Sequence, residues 1–485
     1  IPLENHCLCY LVIICKRSMN QSLFKAYDIR GVYPTDLNEK AMESIIRSIY
    51  SFFKQNLKKD SISVVIGRDM RTSGPALFEV AKKTLIACGA EVIDIGLVST
   101  PTFYYSVLKY SYDAGIDITA SHNPKEWAGI KFVKRDGNKI IKIGKSTGMN
   151  EIKEMALKGE FPEYTNDGTV TERTDVLDEE IADALETIDI SLLKKFKVAC
   201  DPANGMGSLY VAKLFEKVGG ELIKMNFDLD GTFPAHQADP LDFNNLIPLQ
   251  DKVKEVKADF GIEPDGDGDR VFFIDEKGQV VPATFISSLI AQEILKEHPN
   301  ETIVVDIRYT RNVTEVVKKN GGKIFVSKVG HAFITEDVNR EGAYFAGESS
   351  GHFYFGETGG AESAVRVIIY ILKALSETGK PLSELLSGLV SSFESGERNF
   401  ILPEGGDSKS LMEEIVKENS EGELSRLDGI SIDFPDWRLS IRSSNTEPLL
   451  RLNVEAKTEE LMKQRFQQLT DRILKSGAKE KSSDH

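Results

Sequence analysis

The sequence predicts an α/β protein of four domains: three related domains built from βαβ units with mixed sheets, and a C-terminal α+β domain. An apolar run, a turn and a helical pattern follow one another three times, near residues 61–98, 195–220 and 302–327. Beyond residue 393 the pattern changes to strands between two helical segments. At roughly 150 residues per domain, a chain of 485 residues holds about three or four domains.

The first βαβ unit carries the clearest local signals. The apolar run 61–69 predicts a strand, and 75–88 predicts a helix with Pro75 in its first turn and Gly89 at its end. Residues 91–98 form the next predicted strand. Strands that alternate with helices in this way favour an α/β fold.

The C-terminal part has consecutive strands instead. Strands are predicted at 430–434, 437–444 and 449–456, with helices near 407–418 and 457–475. Strands without an intervening helix are typical of an α+β domain.

Changes of pattern divide the chain into six segments. The first 18 residues are expected to be a non-native or disordered extension before Met19. A membrane-tethering or targeting segment is the alternative, disfavoured because the apolar run is too short to span a bilayer and Lys16 and Arg17 follow it. The predicted segments are 1–18 (extension), 19–167, 168–275 and 276–393 (α/β domains), 394–478 (α+β domain) and 479–485 (tail).

Composition narrows the possible partners and location. The net charge of −15 argues against a nucleic-acid partner, which needs a basic face. Only two of the five cysteines lie beyond residue 15, so a disulfide framework is not expected and a reducing cytoplasm fits. No membrane partner is expected.

The segment 118–132 carries the first candidate site. Ser121 stands at a turn after an apolar strand, where its hydroxyl is expected to be exposed. Lys131 is near enough in the chain to fold back over the serine. The adjacency of Ser121 and His122 does not indicate a catalytic triad, because neighbouring side chains on an extended segment point to opposite sides. The alternative is a purely structural Asn-Pro turn.

The segment 263–275 carries a predicted metal site. Asp265, Asp267 and Asp269 alternate with glycines, so on an extended loop their carboxylates share one face and need a hard cation. An EF-hand loop is disfavoured because Arg270 stands where that loop needs glycine. Mg²⁺ is therefore expected, with Arg270 beside it as a phosphate contact; the alternative is a solvated acidic turn.

Two further polar turns complete the set. In 345–355, Glu348 is a candidate to accept hydrogen bonds from two neighbouring sugar hydroxyls, and the alternative is a hairpin with a polar turn. In 441–452, Arg442 and the hydroxyl and amide groups after it suit a phosphate, and the alternative is an ordinary polar turn.

Together these loops supply a serine, a metal site, a sugar contact and a phosphate contact, one in each domain. From about residue 23 to 475 the chain resembles the α-D-phosphohexomutase superfamily, in particular its bacterial phosphomannomutase/phosphoglucomutase branch. Eight motifs in the family's order carry the resemblance: FKAYDIRG (24–31), GRDMRTSG (67–74), TASHNP, DPANGMGS, DGDGDR, KVGH (328–331), GESSGH and RSSNTEP.

The resemblance implies four domains around a central cleft that interconvert hexose 1-phosphate and hexose 6-phosphate, of mannose, glucose or both. This reaction is an intramolecular phosphotransfer of the isomerase class, through a phosphoserine and a bound hexose 1,6-bisphosphate. The implied phosphoserine is Ser121, and the implied Mg²⁺ ligands are Ser121, Asp265, Asp267 and Asp269. Further implied catalytic residues are Arg30, Lys131, Arg270 and His331. Implied substrate contacts are Tyr27, Arg308, Glu348, Ser350, His352, Arg442, Ser444, Asn445 and Thr446.

The branch within the superfamily depends on few residues. Asn445 and the segment 231–240 favour mannose or glucose phosphates over glucosamine phosphate. A phosphoglucosamine mutase and a Mg²⁺-dependent sugar phosphatase remain the alternatives. A monomer or weak dimer is expected. The chain departs from its relatives at FGETGGAESA (355–364), whose paired glycines are unfamiliar in the family.

Overall fold

The computed structural model describes residues 19–162, 164, 168–443 and 449–481. Within these ranges the chain forms four sheets in sequence order, each packed with helices. This confirms the predicted series of three α/β domains and one α+β domain. In the same ranges, no helix combines the length and the apolar character needed to cross a bilayer.

The first domain contains a mixed sheet in the order β1-β5-β4-β2-β3-β7, with β6 paired to β5. Its elements are β1 (Ile29–Val32), α1 (Glu39–Leu57), β2 (Ser63–Arg68), α2 (Gly74–Ala87), β3 (Glu91–Leu97), α3 (Thr100–Lys109), β4 (Ala114–Ile118), β5 (Trp127–Asp136), β6 (Lys139–Lys142), α4 (Met149–Lys158) and β7 (Thr169–Glu172). The predicted helix and strands of the first βαβ unit match α2, β2 and β3 to within two residues.

The second domain has a sheet in the order β12-β11-β10-β8-β9. Its elements are α5 (Val176–Leu185), β8 (Lys197–Cys200), α6 (Gly207–Val218), β9 (Glu221–Lys224), α7 (Phe243–Val256), β10 (Phe260–Pro264), β11 (Val271–Asp275) and β12 (Val280–Val281).

The third domain has a sheet in the order β14-β13-β15-β16-β17. Its elements are α8 (Ala283–Glu297), β13 (Thr302–Asp306), α9 (Arg311–Lys319), β14 (Lys323–Ser327), α10 (His331–Glu341), β15 (Phe345–Gly347), β16 (Phe353–Phe355), β17 (Ala361–Glu362), α11 (Ala364–Thr378) and α12 (Leu382–Ser387).

The fourth domain has a sheet in the order β20-β21-β22-β23-β19-β24, with β18 paired to β23. Its elements are β18 (Phe393–Glu394), β19 (Arg398–Ile401), α13 (Ser408–Glu418), β20 (Glu423–Ser425), β21 (Ile430–Asp433), β22 (Trp437–Ser443), β23 (Leu449–Ala456), α14 (Glu459–Leu474) and β24 (Lys479–Glu480). Single 3₁₀ turns also occur at Gln21–Leu23, Ile190–Leu192 and Gly356–Thr358.

The three α/β domains share one five-strand motif. In each domain the first strand pairs in parallel with the second and third, and the third, fourth and fifth strands pair antiparallel. The motif comprises β2–β6 in the first domain, β8–β12 in the second and β13–β17 in the third. The hairpin loop between the third and fourth strands is therefore an equivalent position in all three domains.

The turn after the first strand of the motif is also equivalent. The carboxylates of Asp69, Asp201 and Asp306 each accept a hydrogen bond from the backbone N–H two residues further on, at 2.8–2.9 Å. An aspartate that bonds its own backbone in this way stabilises a tight turn at a strand end. This local repetition supports the prediction that the three domains are related.

Sheet membership differs from the predicted domain ranges at four places. β7 extends the first sheet beyond residue 167, β12 extends the second beyond 275, and β18 begins the fourth at Phe393. In the predicted tail, β24 pairs with β19. These short edge strands carry little hydrophobic pattern of their own and form because they pair with an existing sheet edge.

The hydrophobic cores do not follow the sheets one to one. One continuous cluster of buried side chains runs through the second and third domains, from Ile181 to Leu386, whereas the first and fourth domains have separate main clusters. Because protein interiors are close-packed, the second and third domains are expected to behave as one body.

The fourth domain is attached to the third through a buried carboxylate. Glu455 of β23 accepts hydrogen bonds at 3.0 Å from the backbone N–H groups of Thr310 and Arg311, at the start of α9. Asn453 donates to the hydroxyl of Tyr309 at 2.9 Å. A carboxylate at the N-terminus of a helix satisfies N–H groups that have no partner within the helix.

A buried carboxyl group predicts that stability depends on pH. Glu180 of α5 accepts a hydrogen bond from Thr102 of α3 at 2.6 Å, and its burial raises the pKa of its carboxyl group to about 7, partly offset by Thr102 and Arg366. The folded state therefore holds this proton more tightly than the unfolded state, whose Glu pKa is about 4.3. The stabilisation that the Glu180 proton contributes is fully present below about pH 4.3, the unfolded-state pKa, and is lost as the pH rises toward 7, the folded-state pKa.

We predict that Glu180→Gln removes this loss, because glutamine does not titrate. The melting temperature of the variant should therefore rise relative to that of the unmutated protein between pH 5 and pH 8. The corresponding difference in the free energy of unfolding is roughly 3 kcal/mol at most. Calorimetry across this range measures the difference. Glu186→Gln, at an exposed position at the end of the same helix, is the control. A difference in melting temperature that is constant with pH would contradict the prediction.

Candidate active site

Ser121 lies in the hairpin loop between β4 and β5, in a backbone conformation that is unusual for serine. Its φ is +54°, and its N–H donates to Thr119 Oγ1 at 2.9 Å. The residue is only 3% exposed, because the second domain covers it: a Cβ on Gly266 would lie 2.5 Å from the Ser121 carbonyl oxygen. The expectation of an exposed hydroxyl was wrong, since it considered the strand end without the neighbouring domain.

The Ser121 hydroxyl touches the predicted metal loop. Ser121 Oγ donates to Asp265 Oδ2 at 3.1 Å and lies 3.2 Å from His122 Nδ1. The expectation that the Ser121 and His122 side chains point apart was also wrong, because the left-handed backbone at Ser121 is a turn and not an extended segment.

Arg71 stabilises the Ser121 loop through hydrogen bonds to its backbone. Its guanidinium donates to the carbonyl oxygens of Ser121 and Asn123 at 2.6 Å and to those of Pro124 and Trp127 at 2.8 and 3.1 Å. Arg71 is 1% exposed, and Asp69 accepts from its Nε at 3.2 Å. The rigid fork of donors thus fixes four carbonyl groups of the loop.

Asp265, Asp267 and Asp269 lie in the equivalent loop of the second domain, between β10 and β11. They are all buried, and one carboxylate oxygen from each lies within 4.8 Å of the others. They converge because the loop turns at Gly268, which has a φ of +78°, and not because an extended loop places them on one face. Asp265 Oδ1 accepts from the N–H groups of Gly268 and Arg270 and stabilises this turn.

The three carboxylates form a group that could bind a metal ion. Burial, followed by the charges of Asp267 and Asp269, raises the pKa of Asp265 to about 8. Asp267 Oδ1 is buried without a hydrogen-bond partner among the described residues. Oxygen ligands, residual negative charge and an unused acceptor fit a hard divalent cation.

Lys131 supplies part of the missing positive charge. Its ammonium is bonded to Asp267 Oδ2 at 2.6 Å and to Asp269 Oδ2, at a buried position. The prediction that Lys131 folds back over Ser121 was wrong in detail, because its ammonium lies between the two carboxylates. Two negative charges attract an ammonium more strongly than a neutral hydroxyl does.

Glu348 and His352 lie in the equivalent loop of the third domain, within the β15–β16 hairpin. Glu348 accepts from Arg308 Nη2 and from the Tyr354 hydroxyl, each at 3.0 Å. His352 Nδ1 lies 3.1 Å from Glu348 and 3.0 Å from the hydroxyl of Ser350. Although burial opposes ionisation, Arg308 and His352 keep the pKa of Glu348 below its usual range.

His352 also connects this loop to the metal loop. Its Nε2 lies 3.3 Å from Asp269, and its backbone forms a bridge with Arg270. Burial opposes its protonation, but Asp269 and Glu348 raise the pKa of its imidazole to about 9. Arg270 itself lies 3.5 Å from Asp239. The three equivalent hairpin loops thus meet at one place.

The remaining predicted residues line the same region. Tyr27 packs edge-on against His331 at 5.4 Å between ring centroids, and His331 begins α10. Burial and the charges of Lys142 and Lys131 hold the pKa of His331 well below its usual range. Arg30 pairs with Asp28 at 2.7 Å and donates to Asn123 beside Ser121.

Arg442 of β22 is buried and paired with acidic side chains. Its Nη2 donates to Glu397 at 2.9 Å, and its Nη1 lies 3.6 Å from Asp428, which accepts from the N–H of Val329. The predicted phosphate contacts Ser444, Asn445 and Thr446 lie outside the described residues.

Sequence reasoning missed several residues of this region. Arg71 and Tyr354 received no role, although Arg71 belongs to a quoted motif. An available signal was the Asp-x-Arg spacing of Asp69 with Arg71 and of Asp306 with Arg308, each after the first strand of the motif. In both pairs the aspartate accepts from the arginine side chain, which then supports a site loop.

Comparison with known proteins agrees with this arrangement. Four domain families match the chain: Phosphoglucomutase/phosphomannomutase alpha/beta/alpha domain I at residues 21–162, domain II at 179–278, domain III at 284–393 and the C-terminal domain at 398–472. Together they cover most of its length.

Individual relatives extend over nearly the whole chain. A phosphomannomutase of Methanocaldococcus jannaschii is 36% identical over 94% of this chain and 98% of its own length. A phosphoglucomutase of Neisseria meningitidis is 32% identical, over 90% and 94% respectively. The crystal structure of a phosphoglucomutase/phosphomannomutase family protein from Burkholderia thailandensis is 30% identical, with a TM-score of 0.85, and covers 95% of this chain and 99% of that chain.

The fold and the matching domains define an enzyme of the phosphotransferase mutase class. The chain belongs to the phosphoglucomutase/phosphomannomutase family, and the predicted resemblance is confirmed.

The contacts of Arg71 predict a large effect from a conservative substitution. Arg71→Lys keeps the charge but cannot reach four carbonyl groups at once, so the Ser121 loop shifts. We expect kcat of the mutase reaction to fall about 100-fold while the protein remains folded by circular dichroism. Arg68→Lys, three residues earlier and partly exposed, is the matched control. An unchanged kcat in Arg71→Lys would rule out this support role.

Proposed function

We propose that the protein interconverts hexose 1-phosphate and hexose 6-phosphate of mannose, glucose or both, through phospho-Ser121 and a bound hexose 1,6-bisphosphate. The observation that carries the proposal is the hydrogen bond from the Ser121 hydroxyl to Asp265, within the group of three buried aspartates. A hydroxyl nucleophile beside a metal-type site suits phosphoryl transfer. The substrates named for the relatives support the choice of sugar phosphates.

Mg²⁺ is the proposed metal, held by Asp265, Asp267, Asp269 and Ser121. The donors are oxygens, and Asp267 Oδ1 is buried without a hydrogen-bond partner among the described residues, which leaves an acceptor for the metal. When bound, Mg²⁺ supplies charge neutralisation for the transferring phosphoryl group. Arg270, which extends from the same loop, is placed to contact phosphate oxygens.

Lys131 and His331 are the two candidates to carry the proton during phosphoryl transfer, and His331 is the better suited. The Lys131 ammonium is engaged with two carboxylates. His331 Nδ1 is buried and has no hydrogen-bond partner among the described residues. A neutral imidazole with a free nitrogen is suited to take the proton from the sugar hydroxyl that receives the phosphoryl group and to return it in the reverse step.

Two side chains are proposed to hold the rest of the substrate. Glu348 accepts hydrogen bonds from sugar hydroxyls, and its orientation is fixed by Arg308 and Tyr354. Arg442 holds the phosphate that is not being transferred, and this contact replaces the hydrogen bond that Arg442 makes to Glu397. The same contacts serve either phosphate, so the bisphosphate can react in both orientations.

The burial of Ser121 favours a mutase over a phosphatase. At 3% exposure, the residue is shielded from bulk water, which would otherwise hydrolyse the phosphoserine. The proposal also includes a reducing cytoplasm, which the small number of cysteines supports, and a monomer or weak dimer.

Coupled assays with mannose 1-phosphate and glucose 1-phosphate, with Mg²⁺ and a trace of glucose 1,6-bisphosphate, test this function. We expect formation of the 6-phosphate from at least one sugar and loss of nearly all turnover in Ser121→Ala, which keeps the fold because it removes only a hydroxyl. Ser191→Ala, on an exposed 3₁₀ turn, is the control.

Three outcomes would contradict the proposal. Undiminished turnover in Ser121→Ala would exclude the phosphoserine. Consumption of glucosamine 1-phosphate alone would place the protein in another branch. Release of inorganic phosphate at the rate of substrate loss would make it a phosphatase.

A further inference from the structure

A buried ion pair joins the first and third domains beneath the site. Lys142, at the end of β6, and Glu362, in β17, are 4% and 2% exposed. Both carboxylate oxygens of Glu362 accept from Lys142 Nζ. Such a pair loses the hydration of both charges, and an apolar pair of similar volume is often as stable. Stability alone therefore does not explain it.

The pair is connected to Glu348 through one tyrosine. The Lys142 ammonium lies 4.7 Å from the ring centroid of Tyr104 and 5.2 Å from that of Tyr354. Tyr354 and Glu362 face each other across the β16–β17 pairing. The Tyr354 hydroxyl donates to Glu348 Oε2 at 3.0 Å. Ion pair, ring and carboxylate thus form one buried series of contacts.

The unfamiliar glycine pair of the sequence lies at the same domain junction. Gly359 and Gly360 have φ values of +68° and +79°, which favour glycine. This turn lets the N–H of Ile140, in β6, donate to the Gly359 carbonyl at 2.9 Å. The side chain of Asn339 donates to the carbonyls of both Ile140 and Gly359. The backbone of the two domains is therefore fixed next to the ion pair.

A second metal site is a less suitable explanation of this cluster. Asp269, His352 and Glu362 each offer a ligand atom within 4.8 Å of the others. However, Lys142 already neutralises Glu362, and the two ring nitrogens of His352 already contact Asp269 and Glu348. The negative charges have cationic partners from the chain itself, so the cluster is a network of charged side chains.

We propose that Lys142 and Glu362 are positioning residues for sugar binding: they fix Tyr354, and through it Glu348, without touching the substrate. A cation above a ring and a carboxylate beside it hold the ring more rigidly than apolar contacts alone. This inference rests on the proposed function, in which Glu348 binds the sugar hydroxyls.

The test uses Lys142→Met/Glu362→Leu, which removes both charges and keeps the volume. We expect a melting temperature close to that of the unmutated protein and a KM for hexose 1-phosphate raised about tenfold. The kcat should stay within about twofold, because burial, the main cause of the low pKa of His331, is kept. Lys139→Met is the matched control: Lys139 lies in the same strand and donates to Asn339 at the same junction, but it is exposed. Its KM should not change.

We propose that Glu348 contacts the neighbouring 3- and 4-hydroxyls of the sugar, so a hexose 1-phosphate that lacks the 4-hydroxyl shows whether the effect on KM passes through Glu348. Loss of that hydroxyl should raise KM in the unmutated protein but have little further effect in the double variant. Tyr354→Phe removes only the hydroxyl that donates to Glu348. It should raise KM as the double variant does and abolish the further effect of the deoxy substrate, and it serves as the test if the double variant does not fold.

The possible failures are distinguishable. An unmutated protein without turnover on any hexose phosphate overturns the proposed function and this inference with it. Two results with an active unmutated protein overturn the positioning role alone. In the first, the variants keep the original KM. In the second, the deoxy substrate raises the KM of the double variant by the same factor as that of the unmutated protein, so the two effects are independent.

Discussion

The structure depends on the neutralisation of three carboxylates buried in one turn. Asp265, Asp267 and Asp269 repel one another, and burial raises the cost of their charges. The cationic side chains around them come from all three α/β domains: Lys131 from the first, Arg270 from the second and His352 from the third. The charges around this single loop therefore link three domains at the Ser121 hydroxyl, in addition to the apolar core that the second and third domains share.

Repetition of one motif makes this convergence possible. The serine, the aspartates and Glu348 all lie in the loop between the third and fourth strands of the same five-strand motif. Three copies of the motif, packed with these loops against one another, bring together the Ser121 hydroxyl, the three aspartates and Glu348. The fourth domain brings Arg442 to the region and is attached through Glu455 at the start of α9.

Much of the fold could be predicted from the sequence because strand–turn–helix patterns are local. The strand predicted at 449–456 matches β23 at both ends. The expected positions of Ser121 and Lys131 were wrong in detail, because the burial of Ser121 depends on Gly266 of another domain and Lys131 turns toward Asp267 and Asp269.

Contacts between distant segments account for what the sequence did not reveal. Arg71 lies 50 residues from Ser121, and Lys142 lies 220 residues from Glu362. The Asp-x-Arg spacing marks Arg71 but not its partner Ser121, and no periodicity or spacing indicates the pair of Lys142 with Glu362. The unfamiliar glycines at 359 and 360 marked the junction where one of them lies, but their meaning depends on β6 of the first domain.

In the proposed mechanism, Ser121 carries the transferred phosphoryl group. Purified protein should be treated with hexose 1,6-bisphosphate, with and without Mg²⁺, and analysed by intact mass and peptide mapping. We expect one added phosphoryl group, on the peptide that contains Ser121, formed far faster with Mg²⁺. A phosphoryl group on another residue, or an active enzyme in which Ser121 is never phosphorylated, would contradict it.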